Sequence, residues 1–384
     1  MSIVERFGPK VISGWVSGDP KKEVVISVNE REIARTAVGR SVNFEGQTKD
    51  IGFARCVSDL WQFLKDGDAV AISHDGSTLP IVGQGFRYVH QGHGALAFKD
   101  LLERLDKGYI FDRRGKLALP LNRRPQLRSF FRVFSKLSAV FRRKFNYELF
   151  PMYGTLLGCI RDGNFIAYDD DIDFAYVSKF TTPEEVKREY LRICSFLIDR
   201  GYIGVASRTG FSIRHPVPLT VYPAWFSPEG EFQPSFGYHG KAFSRFKGCL
   251  DPVDHQLGRF RVKVPMAADR ILAQIYGDNW RTPDPGFDHA GSKRRFDDRY
   301  WPTEEELKPL FWKQFYKSNQ IATGSTFAEF IASRLPSNAL VVDFGCGTGR
   351  DSNYLAEVGY ETIGVDASAE GIARANETKA KKRL

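Results

Sequence analysis

Residues Phe165–Val177 read FIAYDDDIDFAYV, which crowds four carboxylates, Asp169, Asp170, Asp171 and Asp173, into five positions beside apolar and aromatic side chains. Along a β-strand, side chains at i, i+2 and i+4 share a face. The spacing therefore predicts Asp169, Asp171 and Asp173 on one side, with Asp170 and Ile172 on the other. Three converging carboxylates repel one another unless a cation sits among them, and oxygen-only ligands suit Mg2+ or Mn2+. An EF-hand is excluded, because Phe174 stands where that loop needs its glycine and no glutamate closes it. A solvated acidic turn is the alternative, and the strand continuing through FAYV argues against it.

Immediately upstream, Met152–Tyr168 reads MYGTLLGCIRDGNFIAY, with Gly154 and Thr155 ahead of an apolar turn and Arg161 before the acidic run. A small-residue turn, a short helix and acids on an adjacent strand resemble the arrangement by which nucleotidyltransferase-fold enzymes hold a nucleotide's phosphates over a metal. The stretch YGTLLGCIRDGNFIAYDDDIDF resembles the signature of the LicD/fukutin family, whose usual form is close to G-T-L-L-G, then Arg, then I-P-W-D-D-D-I-D. Val262–Phe287, VKVPMAADRILAQIYGDNWRTPDPGF, is similar to the family's closing block, in which Y-G-x-x-W-x-x-P follows a helix. Two departures stand out. Ala167-Tyr168 replaces the usual Pro-Trp, and in LTVYPAW Thr220 occupies a position that is often acidic.

The resemblance implies a nucleotidyltransferase fold. It also implies metal-dependent transfer of a phosphate-linked substituent, such as phosphocholine or ribitol phosphate, from a CDP-activated donor to a hydroxyl of a cell-surface polysaccharide or lipid-linked glycan. On that reading Asp169, Asp171 and Asp173 hold Mg2+ or Mn2+, Asp171 accepts the hydroxyl proton, Arg161 clamps a donor phosphate, and Gly154, Thr155 and Lys241 line the donor site with Tyr238 near by. Asp170 ranks below the other three acids. The competing role for Arg161 is a surface pairing with Asp162. Two rival functions stay open: a nucleotidyltransferase acting on a small molecule or RNA, and a non-catalytic glycan-binding scaffold.

Working outward, the 384 residues predict two or three domains, with 42% hydrophobic and 14% aromatic residues to fill their cores. Val11–Val82 reads as short alternating strands separated by Gly-Asp, Asp-Gly and Asn-Glu bends, an antiparallel module that resembles β modules appended to bacterial glycan-modifying enzymes. A Pro-, Gly- and Arg-rich connector, DRRGKLALPLNRRPQ, follows. Gln126–Phe145 then places Phe130, Phe134, Leu137 and Phe141 at helical spacing, with Arg128, Arg132, Lys136 and Arg143 on another face. The apolar stripe is expected to face core rather than lipid. From Arg104 to Lys144 there are thirteen Lys and Arg against two Asp, more than the whole formal excess of +9. Such a zone attracts phosphate-bearing partners or an anionic membrane face; the alternative reading is a solvated linker and helix face. No aromatic-interleaved RNA platform is evident, so no specific nucleic acid is expected.

The five cysteines are scattered without a C-x-x-C pair, which argues against a zinc module or disulfide framework and for a reducing, cytoplasmic setting, with any membrane contact peripheral and at the inner face. Asn279–Arg295 reads as a second linker.

The second strong signal is Ala339–Ser368, ALVVDFGCGTGRDSNYLAEVGYETIGVDAS. An apolar strand ends at Asp343, glycines follow at 345, 347 and 349, a helix starts near Asp351, and a second strand ends at Asp366. Glycines let the backbone approach a ligand, and the acid can accept ribose hydroxyls. The spacing resembles the first motif and acidic site of class I S-adenosylmethionine methyltransferases, which assigns Asp343, Gly345, Gly347, Gly349 and Asp366 to that cofactor. Leu340–Leu384 supplies only two strands and two helices, so the sequence is expected to be the front of a longer protein and not to methylate as it stands. The expected fold is thus multidomain: an N-terminal all-β sandwich-like module (1–115), a central α+β nucleotidyltransferase-fold domain (116–290), and an incomplete α/β Rossmann-like methyltransferase start (300–384).

Overall fold

The computed structural model describes residues 2–19, 21–39, 42–44, 47–49, 51–214, 219–237, 239–283, 297–318 and 323–382. The predicted linker at Asn279–Arg295 lies outside these residues from 284 on, as does Tyr238. The chain divides into two compact units, Met1–Thr181 with Pro216–Phe296, and Thr182–His215 with Asp297–Leu384.

In the first unit the N-terminal residues form two larger antiparallel sheets beside short two-stranded ones. Ile12–Val16 lies between Ile3–Phe7 and Ile51–Arg55, and Val24–Val28 between Arg31–Thr36 and Ala69–His74. Alternation puts Ile12, Val16, Val24, Ile26, Val28, Val70 and Ile72 into one buried core that extends to Phe111. The module is not all-β, however. A nine-residue helix, Phe98–Asp106, buries Leu101 in the same core. Its Leu101, Leu105 and Phe98 fall at i, i+4 and i−3, a helical period in a stretch that the strand-and-turn pattern of Val11–Val82 does not cover.

The predicted amphipathic helix is α1 (Leu127–Val140), continued by a wider turn at Phe141–Phe145. Its apolar face is core: Phe134 stacks on Phe174 at 4.0 Å and Phe141 meets Tyr176 at 5.5 Å, while Arg128, Arg132, Lys136 and Arg143 are exposed. The turn ends at Asn146, which adopts φ +58. Asn146→Ala is expected to cost about 1 kcal/mol, because a Cβ-bearing residue without a local hydrogen bond resists left-handed backbone, whereas Asn146→Gly should be close to neutral. Urea unfolding midpoints of the two variants check this.

Next come β1 (Phe150–Pro151), α2 (Tyr153–Asp162), β2 (Ile172–Val177) and β3 (Leu219–Phe226). β1 pairs antiparallel and β3 parallel with β2, so β2 is central and is buried along nearly its whole length. The hairpin β4 (Pro252–Leu257) and β5 (Phe260–Pro265) precedes α3 (Ala268–Tyr276), and α2 packs on β2, β4 and α3.

The second unit contains the helix Pro183–Asp199, α4 (Glu304–Ser318), β6 (Leu340–Phe344), α5 (Arg350–Glu357), β7 (Glu361–Val365) and α6 (Ala369–Lys382). β6 and β7 are parallel, as a strand–turn–helix–strand unit requires. Asp199 is clamped by Lys313 at 2.6 Å and Lys317 at 2.8 Å, one turn apart on α4. None of the described helices is long and apolar enough to cross a membrane.

Candidate active site in the acidic loop

β2 begins only at Ile172, so Asp169, Asp170 and Asp171 precede it on a loop that follows the turn at Ala167-Tyr168. This corrects the shared-face expectation, since strand alternation does not govern residues outside the strand. The loop nevertheless gathers carboxylates: single oxygens of Asp169, Asp170 and Asp171 all lie within 4.8 Å of one another. Asp170, placed below its neighbours by alternation, is drawn into this group and also forms an ion pair with Arg114 at 2.5 Å. Asp173 sits deeper, on β2.

Burial sets the electrostatics. Asp169 and Asp173 are 7% and 8% exposed. Burial, and then the charge on Asp171, raises the Asp169 carboxyl to about 7. Asp171 is raised by burial and then by Asp170. Burial and then the charges of Asp171 and Asp169 drive Asp173 well above the usual carboxylate range. Tyr222 hydrogen-bonds the Asp173 carboxyl, yet Asp173 Oδ1 is buried and has no hydrogen-bond partner among the described residues. Acids in this state are poised for a cation: each resists ionising in its neighbour's field, and a divalent ion would remove that resistance. The residues present therefore fit a hard, oxygen-liganded metal.

Helix α2 holds the cluster from below. Thr155 Oγ1 accepts the Asp173 backbone N–H at 2.9 Å, and the Met152 N–H donates to the Asp173 carbonyl at 2.9 Å. A Cβ on Gly154 would stand 2.5 Å from Asp169 Oδ2, so only glycine lets that carboxylate lie against the helix start, where unpaired N–H groups favour negative charge. The residue before it, Tyr153, takes φ +49, is fully buried and stacks on Phe236 at 4.0 Å. Gly154→Ala is expected to displace Asp169 and weaken Mn2+ binding at least about tenfold, with the fold intact. Wild-type Mn2+ affinity with an unchanged circular dichroism spectrum would contradict it.

Of the other sequence-predicted residues, Arg161 turns its guanidinium onto Asp162 with a bidentate pair at 2.8 and 2.9 Å, so a donor phosphate would have to share it. Lys241 is exposed, and among the described residues no ion pair joins it to the acids. Thr220, in the often-acidic position, is the register partner of Asp173 across the parallel pair β2–β3. The departure therefore falls beside the carboxylate carried on β2, and Tyr222, two residues on, supplies a hydroxyl there instead.

The structure adds residues that the pattern did not single out. Tyr276, from the closing Y-G-x-x-W block, is half-buried, and its phenol is pushed up first by desolvation and then by the charges of Asp169 and Asp173. Arg113 faces the acids closely enough for Asp169 and then Asp171 to hold its proton against the effect of burial. The motif spacing carried the signal for Tyr276. Arg113 and Arg114 sat in plain view as Arg-Arg in a stretch read as a connector.

Residues 146–212 match the family model described as LicD/FKTN/FKRP, nucleotidyltransferase domain. The LicD-like segment thus takes in α2, the acidic loop and β2. Residues 316–384 match a second model, described as a methyltransferase domain. A probable S-adenosyl-L-methionine-dependent methyltransferase TehB of Haemophilus influenzae strain Rd is 37% identical over 73 residues, 19% of this chain and 26% of that protein. Its counterpart in strain 10810 is 43% identical over 53 residues, 14% of this chain and 18% of that protein. The chain thus spans about a quarter or less of the curated relatives it matches. Together these similarities support a transferase with an S-adenosylmethionine-type domain.

In that C-terminal domain the glycine turn follows β6. Gly345, Gly347 and Gly349 have φ of +83, +55 and +70, and a cavity of about 240 Å³ lies against Gly345 and Gly347, lined also by Tyr316, Asp343 and Asp351. Asp343 accepts the Ser352 hydroxyl at 2.7 Å. Asp366 accepts the backbone N–H groups of Gly347 at 2.9 Å and Ser368 at 2.7 Å, which fixes it at the end of β7 beside the glycine turn.

Proposed function

We propose that the first unit is a metal-dependent phosphotransferase that moves a phosphate-linked substituent from a CDP-activated donor to a hydroxyl of a polysaccharide or lipid-linked glycan. The observation carrying this reading is the buried acidic group above Gly154 and Thr155, in a segment that matches the LicD/FKTN/FKRP model. Asp169, Asp171 and Asp173 would hold Mg2+ or Mn2+, with Asp170 at the edge of the set. When bound, the ion supplies charge neutralisation for the diphosphate and eases departure of CMP. The protein's own part is positioning. Gly154 opens the approach to Asp169, Thr155 fixes the backbone at Asp173, and Tyr222 and Tyr276 wall the site against water. Asp171, the least buried of the three assigned ligands, is the candidate acceptor of the hydroxyl proton.

The experiment is incubation with a panel of CDP-linked donors and Mg2+ or Mn2+, following CMP release by chromatography. Metal-dependent release supports the reading, and its absence with every donor favours a scaffold. Nucleotide transfer onto an acceptor, with pyrophosphate released from a nucleoside triphosphate, would favour the nucleotidyltransferase alternative. For the second unit we propose S-adenosylmethionine binding at the turn of Gly345, Gly347 and Gly349, with Asp343 and Asp366 flanking it. Its support is the match of residues 316–384 and the 37% identical relative. We place the protein in the cytoplasm, with the exposed face of α1 available to anionic lipid headgroups.

A further inference from the structure

The first unit holds a cavity of about 500 Å³ whose walls come from both the N-terminal β module and the LicD-like segment. Arg55 ends the strand Ile51–Arg55, Arg113 tips the hairpin formed by Ile110–Phe111 and Leu117–Ala118, and Arg161 and Tyr168 belong to the motif itself. The module is bolted to the acidic loop by that hairpin. On one side, Asp59 accepts Lys116 Nζ and the Leu117 N–H, each at 2.9 Å, and the Ser58 hydroxyl donates to the Arg114 carbonyl at 2.9 Å. On the other, the Arg113 N–H donates to the Tyr168 carbonyl at 2.6 Å and Arg114 pairs with Asp170 at 2.5 Å. A merely appended module would not need its connector built into the loop that carries the carboxylates.

The charges in the cavity are unevenly answered. Glu23 and Arg35, both in the lining, pair with each other at 3.7 Å, and Glu32 also holds Arg35. Arg161 is held by Asp162. Arg55 gives one Nη to the Phe111 carbonyl and lies 5.6 Å from the centre of the Tyr168 ring, and its buried Nε has no hydrogen-bond partner among the described residues. Among the described residues neither Arg55 nor Arg113 has a carboxylate within ion-pair distance. The lining also includes the apolar side chains of Ile33, Ala54 and Phe111. Two guanidiniums with no carboxylate at ion-pair distance among the described residues, one with an orphaned buried donor and the other in the field of Asp169 and Asp171, beside apolar lining, suit an anion that carries a less polar body.

We propose that this cavity is a binding subsite for a phosphate ester, its phosphate taken by Arg55 and Arg113 and its body laid along Ile33, Ala54 and Phe111, so that the β module completes the active site. The inference rests on the phosphotransferase reading for its place in the reaction, not for the binding itself. The phosphate belongs either to the CDP donor or to a phosphate-bearing acceptor.

The test is calorimetric titration of the full chain with CDP, pyrophosphate and glycerol 3-phosphate, each in EDTA and in Mn2+. Arg55→Met and Arg113→Met are the variants, with Arg132→Met, on the exposed stripe of α1, as the charge control. Each pocket variant is expected to weaken the probe that binds by about tenfold or more in both media, leaving Arg132→Met unchanged. Loss confined to CDP and pyrophosphate assigns the cavity to the donor; loss extending to glycerol 3-phosphate assigns it to the acceptor. Arg113 is on the surface, so its variant keeps the test valid should Arg55→Met fold poorly. Wild-type affinity in both variants, or no probe bound by wild type, overturns the subsite even if CMP release continues. Arginine-dependent binding in a protein that releases CMP from no donor keeps the subsite and sinks the transferase reading.

Discussion

Asp171→Asn is expected to reduce metal-dependent CMP release by about a thousandfold or more, because it removes a metal ligand and the proposed proton acceptor together. Asp173→Asn should do comparable damage from a different cause. Its carboxyl is buried, with Oδ1 unpartnered, so an amide placed there presents an N–H where a cation would sit. Asp170→Asn discriminates between two ligand sets. If Asp169, Asp171 and Asp173 form the set, loss of Asp170 should cost only about tenfold, the effect of freeing Arg114 and loosening the loop. If instead the group within 4.8 Å binds the ion, Asp170→Asn should match Asp171→Asn. Steady-state rates at saturating Mn2+, with circular dichroism to confirm folding, decide between them. Full activity in Asp171→Asn would remove the acidic loop from the chemistry altogether.

Much of this site was legible in the residues because charge crowding and small-residue turns are local. Four acids in five positions announce an electrostatic problem whatever the backbone does, and Gly154 announces close approach. What the acids meet was less legible. Alternation applied to Asp169–Asp173 presumes a strand that starts three residues before the real one, and boundaries depend on which backbone groups find partners: the Asp169 N–H goes back to the Ile166 carbonyl, a turn rather than a ladder. The arginines were missed for a different reason. Arg55 and Arg113 reach the loop through pairing that spans more than fifty residues, and nothing in DRRGKLALPLNRRPQ marks one arginine as facing a cavity and another as facing water. In the second unit the Gly345–Gly349 turn and the parallel pair β6–β7 follow from one βαβ pattern, so the sequence period and the fold agree there.

The same burial predicts an effect on stability opposite in sign to the effect on rate. In EDTA, the folded chain keeps a proton on Asp169 up to about pH 7, while the unfolded chain releases it near the ordinary aspartate value of about 4. Between those values the native state binds more protons than the unfolded state, so stability falls as pH rises and the loss is complete above pH 7. A shift of about three units corresponds to something on the order of 4 kcal/mol from this one group. Asp169→Asn cannot ionise, so the metal-free variant should melt higher than metal-free wild type at pH 8 and about equally at pH 4. Mn2+ should reverse the order at pH 8, raising wild type through binding to the folded state and leaving the variant where it was. Thermal melts at pH 4, 6 and 8, with and without Mn2+, read both signs in one experiment. A wild-type melting temperature that holds steady from pH 4 to 8 in EDTA would mean that Asp169 stays solvated. The ion would then be joining a site already relaxed by water, and the buried acids would lose their reason for needing one.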